Sequence, residues 1–135
     1  RGQKENMKKV TICASASLSQ EIETWRVKLE SLGYKVIKFP VTDSRNYEEI
    51  HKDHYKKIAE SDMLFILNLE KEGVENYIGP STFAEIAFAI GLNLALDKKI
   101  EIYSLNPLPQ NLPYSQELNL WKKLGWIQDW SKVSN

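Results

Sequence analysis

Short apolar segments alternate with amphipathic ones along this chain, and this alternation constrains the fold more than any other feature. The predicted strands are residues 9–14, 34–39, 62–68 and 99–105. The predicted helices are residues 20–31, 47–60, 80–96 and 114–124. Repeated β-α units favour an α/β fold whose parallel sheet, of about four or five strands, is covered by helices on both faces. Segment 62–68 is the most apolar strand and is predicted to be central.

The composition excludes several classes of protein. A chain of 135 residues predicts one domain, residues 7–135, after a polar lead-in, residues 1–6, that is disordered or left from expression. Eighteen basic and eighteen acidic residues leave no basic excess, so neither a nucleic acid nor a membrane surface is an expected partner. No apolar run reaches about 18 residues, which predicts no transmembrane helix.

The metal-binding and redox residues are few. Cys13 is the only cysteine and there are two histidines, so neither an internal disulfide nor a familiar zinc site can form. We therefore expect no metal, no cofactor and a reducing, cytoplasmic location. Cys13 is an unpromising nucleophile, because it lies inside a strand and nothing marks a base near it.

Glu85 is the outstanding chemical feature. It is the only charged residue between Glu75 and Asp97, in a helix that is apolar on all sides and is therefore predicted to be buried. A buried carboxylate is unfavourable unless it is paired. The helix dipole favours its ionised form and burial opposes it, a balance typical of functional carboxylates. The alternative is a capping box with Thr82, three residues earlier.

Ligands of parallel α/β sheets bind beyond the carboxyl ends of the strands, which selects loops 14–19, 68–82 and 104–111. Gly79 permits close backbone approach, and the N–H groups after it can hold an anion such as phosphate. A plain helix N-cap is the alternative for the serines of the first loop. The predicted substrate-binding residues are Ala14, Ser15, Ser17, Asn68, Gly79, Ser81, Thr82 and Asn106.

Two further groups of residues stand out. His54 falls on the inward stripe of helix 47–60, whereas His51 and Asp53 are assigned to its partly exposed face. Trp126 and Trp130 near the end of the chain are candidates for the core or for an interface between subunits.

Segments 58–68, 77–89 and 98–100 resemble the nucleoside 2-deoxyribosyltransferase family, which includes 2′-deoxynucleoside 5′-monophosphate N-hydrolases, and more closely a compact branch of it. The resemblance covers about residues 8 to 107, and its most specific part is the Gly79 loop followed by Glu85. It implies a flavodoxin-like three-layer sandwich, a homo-oligomer and a retaining reaction at C1′ of a nucleoside or nucleotide, with Glu85 at the nucleophile position.

The family pattern differs from this chain at two positions. The orienting Tyr after the first strand is missing, and Tyr77 is a candidate substitute. Where the family has an Asp eight residues before Asp62, this chain has His54, with Asp53 beside it. In the family this Asp contacts the base or helps to move its proton. Here either His54 acts as the acid or base, or Asp53 reaches into the site, or the protein lacks this proton-transfer step. The predicted function is an N-glycosidic-bond enzyme, a transferase or an N-hydrolase; the alternatives are a non-catalytic nucleotide-binding sensor and a structural domain.

Overall fold

The computed structural model describes residues 7–133, so the predicted lead-in at residues 1–6 lies outside the described residues. The strands are β1 (Lys9–Cys13), β2 (Lys35–Lys38), β3 (Met63–Ile66), β4 (Glu101–Ser104) and β5 (Gln128–Asp129). The helices are α1 (Ser19–Ser31), α2 (Tyr47–Glu60), α3 (Pro80–Leu96), α4 (Ser115–Lys123) and a 3-10 helix (Trp130–Lys132). None of these helices has the length and continuous apolarity that crossing a bilayer requires.

The five strands form one parallel sheet in the order β2-β1-β3-β4-β5. The protein is therefore an α/β flavodoxin-like sandwich, as predicted. The strand order changes direction between β1 and β3, whose last residues, Cys13 and Ile66, lie in register. In such sheets a ligand crevice forms at this switch point. β5 escaped prediction because two residues are too few to show a period of two.

Side chains that alternate along the strands belong to two apolar clusters, one on each face of the sheet. One cluster contains Leu64 and Ile66 with residues of α2, α3 and α4, and the other contains Val10 and Phe65 with residues of α1. Trp130 is 4% exposed and lies edge-on to Phe65, with ring centroids 5.3 Å apart. The C-terminal Trp130 is therefore a core residue rather than an exposed interface anchor.

α3 is buried along one side as far as Ile90, which corrects the prediction of burial on all sides. Leu94 and Leu96, near its end, are 59% and 67% exposed. A 17-residue helix is about 25 Å long, whereas the four-residue strand β3 spans only about 13 Å, so the end of α3 extends past the sheet. Leu32, which follows the last residue of α1, is 53% exposed.

Asn46 is the N-cap residue of α2, and its contribution to stability can be tested. The side chain of Asn46 accepts a hydrogen bond from the Glu49 N–H at 2.8 Å. Replacing Asn46 with alanine should therefore lower the free energy of unfolding by about 1 kcal/mol, as measured by urea denaturation. Asn46→Asp, which can still cap the helix, is the control. Equal stability of the two variants would contradict this role.

Candidate active site

A cavity of about 310 Å³ lies at the switch point of the sheet. It is bounded by the loops after β1, β2 and β3, by the start of α3 and by one side of α2. Its lining residues are Ala14, Ser15, Ala16, Lys38, Pro40, Val41, Arg45, Ile50, His51, His54, Lys71, Tyr77, Gly79, Pro80, Ser81, Thr82 and Glu85. The cavity therefore brings together residues that are far apart in the sequence.

Most of the predicted site residues line this cavity. Those that do are Ala14, Ser15, His54, Tyr77, Gly79, Ser81, Thr82 and Glu85. Ser17, Asp53, Asn68 and Asn106 are not among the lining residues. The loop after β2 replaces the predicted loop 104–111, since β2 lies next to β1 whereas β4 lies on the far side of β3.

Asn68 and Asn106 join two loops instead of facing the cavity. The side-chain N–H groups of Asn68 donate to the carbonyls of Asn106 and Pro107, at 3.0 and 3.1 Å. In return, the Asn106 backbone N–H donates to the Asn68 side chain at 3.0 Å, and its side chain donates to the Asn68 carbonyl at 2.9 Å. These side chains are engaged in fixing the loops after β3 and β4, which accounts for their absence from the cavity wall.

The serines after β1 do not cap α1. The N-cap is Leu18, with no side-chain hydrogen bond, and the hydroxyl of Ser17 bonds to that of Ser15 at 2.9 Å. Ser15 also accepts a hydrogen bond from Lys71 Nζ at 2.7 Å. The first loop thus contributes Ser15, held by Lys71, to the cavity wall.

Three cations line the cavity, and sequence analysis missed all of them. Lys38 Nζ and Arg45 Nη1 lie 2.6 and 3.5 Å from the Asp53 carboxylate. The hydrogen bond from Lys38 lowers the pKa of Asp53, so this carboxylate is a counter-ion and holds no proton to donate near neutral pH. Among the described residues, no carboxylate lies within 4.0 Å of Lys71 Nζ, so Lys71 presents an uncompensated charge.

Gly79 makes room for Tyr77. A β-carbon at Gly79 would lie 3.2 Å from the Tyr77 ring and 3.3 Å from its hydroxyl oxygen. Lys71 Nζ lies 5.5 Å from the centroid of the same ring. Gly79 was predicted to allow a ligand close to the backbone; in the structure it allows the Tyr77 ring to pack against the start of α3. Tyr77 is thereby held between Lys71 and Gly79.

Glu85 is 8% exposed and lies in the second turn of α3. The helix begins at Pro80 with Gly79 as N-cap, so Thr82 is already inside the first turn and the capping-box alternative is wrong. Burial raises the pKa of Glu85 to about 7, and the Cys13 thiol beside it opposes this rise. Burial therefore affects the pKa of Glu85 more than the helix dipole does, because the influence of the dipole falls off within the first turn.

His54 and Cys13 complete the surroundings of Glu85. His54 Nε2 lies 3.6 Å from Glu85 Oε1 and 3.7 Å from Cys13 Sγ. Burial lowers the pKa of His54 to about 4, so the imidazole is neutral at pH 7. Burial and the nearby Glu85 raise the pKa of Cys13, which keeps it a thiol. A base does lie near Cys13, contrary to expectation, but the fully buried thiol remains unsuited to nucleophilic attack.

A known structure shares this fold. It is the CMP N-glycosidase BcmB of Clostridium botulinum, which superposes with a TM-score of 0.57 at 20% sequence identity. The match covers 90% of this chain and 87% of that protein. No family model matches the sequence, and no curated protein matches it either.

The geometry defines what the site can do. Glu85 is a largely buried carboxylate in the wall of the cavity, and Lys71 and the first N–H groups of α3 are available for an anion. Cys13, His54 and Glu85 also place one sulfur, one nitrogen and one oxygen atom within 4.8 Å of one another, a set that could hold a metal ion. Counting cysteines and histidines could not reveal this mixed set.

Proposed function

We propose that this protein cleaves the N-glycosidic bond of a nucleotide, with Glu85 as the nucleophile at C1′. The observation that carries the proposal is the buried carboxylate of Glu85 in the wall of a cavity that is large enough for a sugar and a base. The likeness of fold to a CMP N-glycosidase and the family resemblance of the segment around Glu85 support it.

The chemistry suits the site. The ionised Glu85 attacks C1′, the bond from C1′ to the base nitrogen breaks, and the base leaves with the bonding electron pair. The transition state carries positive charge on the sugar, which a carboxylate in a poorly solvated site stabilises strongly. Water, or a second base, then attacks C1′ and releases Glu85. Tyr77, fixed by Lys71 and Gly79, is the group placed to orient the sugar and nucleophile.

A phosphate on the substrate explains the cations. Lys71 already donates to the Ser15 hydroxyl, and Ser81 and Thr82 lie in the first turn of α3, whose free N–H groups favour an anion. The charge of Lys38 is paired with Asp53 and that of Arg45 mainly with Asp43, whereas no carboxylate of the described residues lies within 4.0 Å of Lys71 Nζ. We assign the phosphate contact to Lys71 for this reason.

Replacing Lys71 with methionine should raise the KM for a nucleoside 5′-monophosphate by about 10- to 100-fold, because one charge-assisted hydrogen bond is lost. The kcat/KM for the corresponding nucleoside should fall by a much smaller factor, through loss of the Lys71 contact with the Tyr77 ring alone. Steady-state kinetics with both substrates measure this difference, and Lys99→Met, at an exposed lysine outside the cavity, is the matched control. Equal losses with nucleoside and nucleotide would contradict a phosphate role for Lys71.

The function itself is tested by incubating the protein with ribo- and deoxyribonucleoside 5′-monophosphates and following the free base by chromatography. Adding a second base distinguishes transfer, which forms a new nucleotide, from hydrolysis, which forms the sugar phosphate. Release of base from at least one substrate is the expected result. No release from any of them would contradict the proposal.

Binding without chemistry is the second candidate, and the state of His54 favours it. Neutral His54 offers no imidazolium to protonate a leaving base near pH 7, and Asp53 is engaged with Lys38 and Arg45. A sensor of this kind would show nucleotide-dependent thermal stabilisation in both the wild type and Glu85→Gln, with no release of base.

A further inference from the structure

Three buried side chains from different elements converge beside the cavity. Cys13 ends β1, His54 comes from α2 and Glu85 from α3. The distance from Cys13 Sγ to His54 Nε2 is 3.7 Å, and that from His54 Nε2 to Glu85 Oε1 is 3.6 Å. One ligand atom of each residue lies within 4.8 Å of the other two.

These separations resemble those between the ligands of a tetrahedral zinc ion. Zn–S bonds near 2.3 Å and Zn–N or Zn–O bonds near 2.0–2.2 Å place the ligand atoms roughly 3.3 to 3.6 Å apart at tetrahedral angles. The His54–Glu85 distance lies at the upper end of that range, the Cys13–His54 distance exceeds it by about 0.1 Å, and the ligand atoms of Cys13 and Glu85 lie within 4.8 Å of each other. Side-chain adjustments alone can therefore close the site on an ion.

We propose that Cys13, His54 and Glu85 form a zinc-binding site, with the fourth coordination position open to the cavity. Thiolate and imidazole ligands favour zinc over magnesium or calcium, which prefer oxygen ligands. Two of the three ligands, His54 and Glu85, line the cavity, which gives the ion a route to the site. A coordinating thiol loses its proton outright, so binding releases a proton from Cys13.

The zinc site has a consequence for the proposed function, and this consequence alone depends on that function. A carboxylate bound to zinc cannot attack C1′, so the zinc-loaded protein should be inactive as a glycosidase and should recover when a chelator removes the ion. The cluster would then act as a metal-sensitive control on the same residue that performs the reaction.

Cobalt(II) titration of the chelator-treated, full-length protein tests the site directly. The wild type should give a thiolate-to-cobalt charge-transfer band and the visible bands of tetrahedral cobalt, and zinc should displace both. Cys13→Ser should abolish the charge-transfer band, and His54→Gln should weaken binding by more than about 100-fold, since loss of an outer partner alone costs 10- to 100-fold. His51→Gln, at the other histidine of the chain, should bind cobalt as the wild type does.

The outcomes separate the zinc site from the glycosidase. A wild-type spectrum of hexa-aqua cobalt only, or a charge-transfer band that persists in Cys13→Ser, would overturn the zinc site whatever the activity. The predicted spectra without base release from zinc-free protein would leave the zinc site standing and count against the proposed function. Thermal melts check that each variant folds. If Cys13→Ser does not fold, X-ray absorption at the cobalt edge of the wild type replaces it, and a coordination shell without sulfur would overturn the proposal.

Discussion

Replacing Glu85 with glutamine should reduce the rate of base release by about four orders of magnitude or more, because the substitution keeps the shape of the side chain and removes the nucleophile. Glutamine can still fill the wall of the cavity, so nucleotide binding should persist. Chromatography of the released base gives the rate, and thermal stabilisation by the nucleotide reports binding.

Glu75→Gln is the matched control for this prediction. Glu75 is exposed, lies ten residues earlier and is outside the cavity wall, so the same chemical change there should leave the rate unaltered. A Glu85→Gln variant that keeps a substantial fraction of the wild-type rate would show that another group performs the attack. Loss of nucleotide binding together with activity would instead indicate that Glu85 positions the ligand.

The same variant should be more stable than the wild type above neutral pH. Burial raises the pKa of Glu85 from 4.5 to about 7 in the folded protein, so the folded state binds more protons than the unfolded state between these values and stability falls as the pH rises through them. Since each tenfold difference in proton affinity is worth about 1.4 kcal/mol, ionisation of the buried Glu85 lowers the free energy of unfolding of the wild type by an amount on the order of 3 kcal/mol. Urea denaturation should show it at pH 8, with little difference at pH 4.

His54 produces the opposite dependence and serves as the internal check. Its pKa falls from 6.5 to about 4 on folding, so the unfolded state binds more protons and stability is lost as the pH falls through this window. The two effects oppose each other in the wild type between about pH 4.5 and 6.5. In Glu85→Gln, the free energy of unfolding should rise with pH, because only the His54 effect remains. In His54→Gln, it should fall with pH, because only the Glu85 effect remains. A stability difference between the wild type and Glu85→Gln that does not change with pH would contradict the account.

Much of the fold could be predicted because its determinants are local. The first residues of α2 and α3 could be predicted from Asn46 and Pro80. The preference of these residue types for the start of a helix does not depend on tertiary contacts. The parallel sheet follows from the alternation of strands and helices. The exposure of Leu94 and Leu96 was not predictable, since it depends on the length of α3 relative to the strands it covers.

The candidate site also contains residues that could be predicted from the sequence and residues that could not. Glu85 was recognisable because a single charge in an apolar helix is anomalous in any fold. The contact of Cys13 with His54 was not, because it joins β1 to α2 across 41 positions of sequence. Lys71 lies in a charged loop after the central strand, and the contacts that distinguish it from its neighbours, with Ser15 and the Tyr77 ring, exist only in the folded structure.

The central claim, that Glu85 is a nucleophile, is tested most directly by trapping the glycosyl-enzyme. The protein is mixed with a nucleotide whose sugar carries fluorine at C2′, which slows breakdown of the intermediate, and the digested protein is analysed by mass spectrometry. We predict that the peptide containing Glu85 gains the mass of the sugar phosphate, and that Glu85→Gln gains none. Release of base by an enzyme whose Glu85 peptide is never modified, or modification of a different carboxylate, would contradict the account.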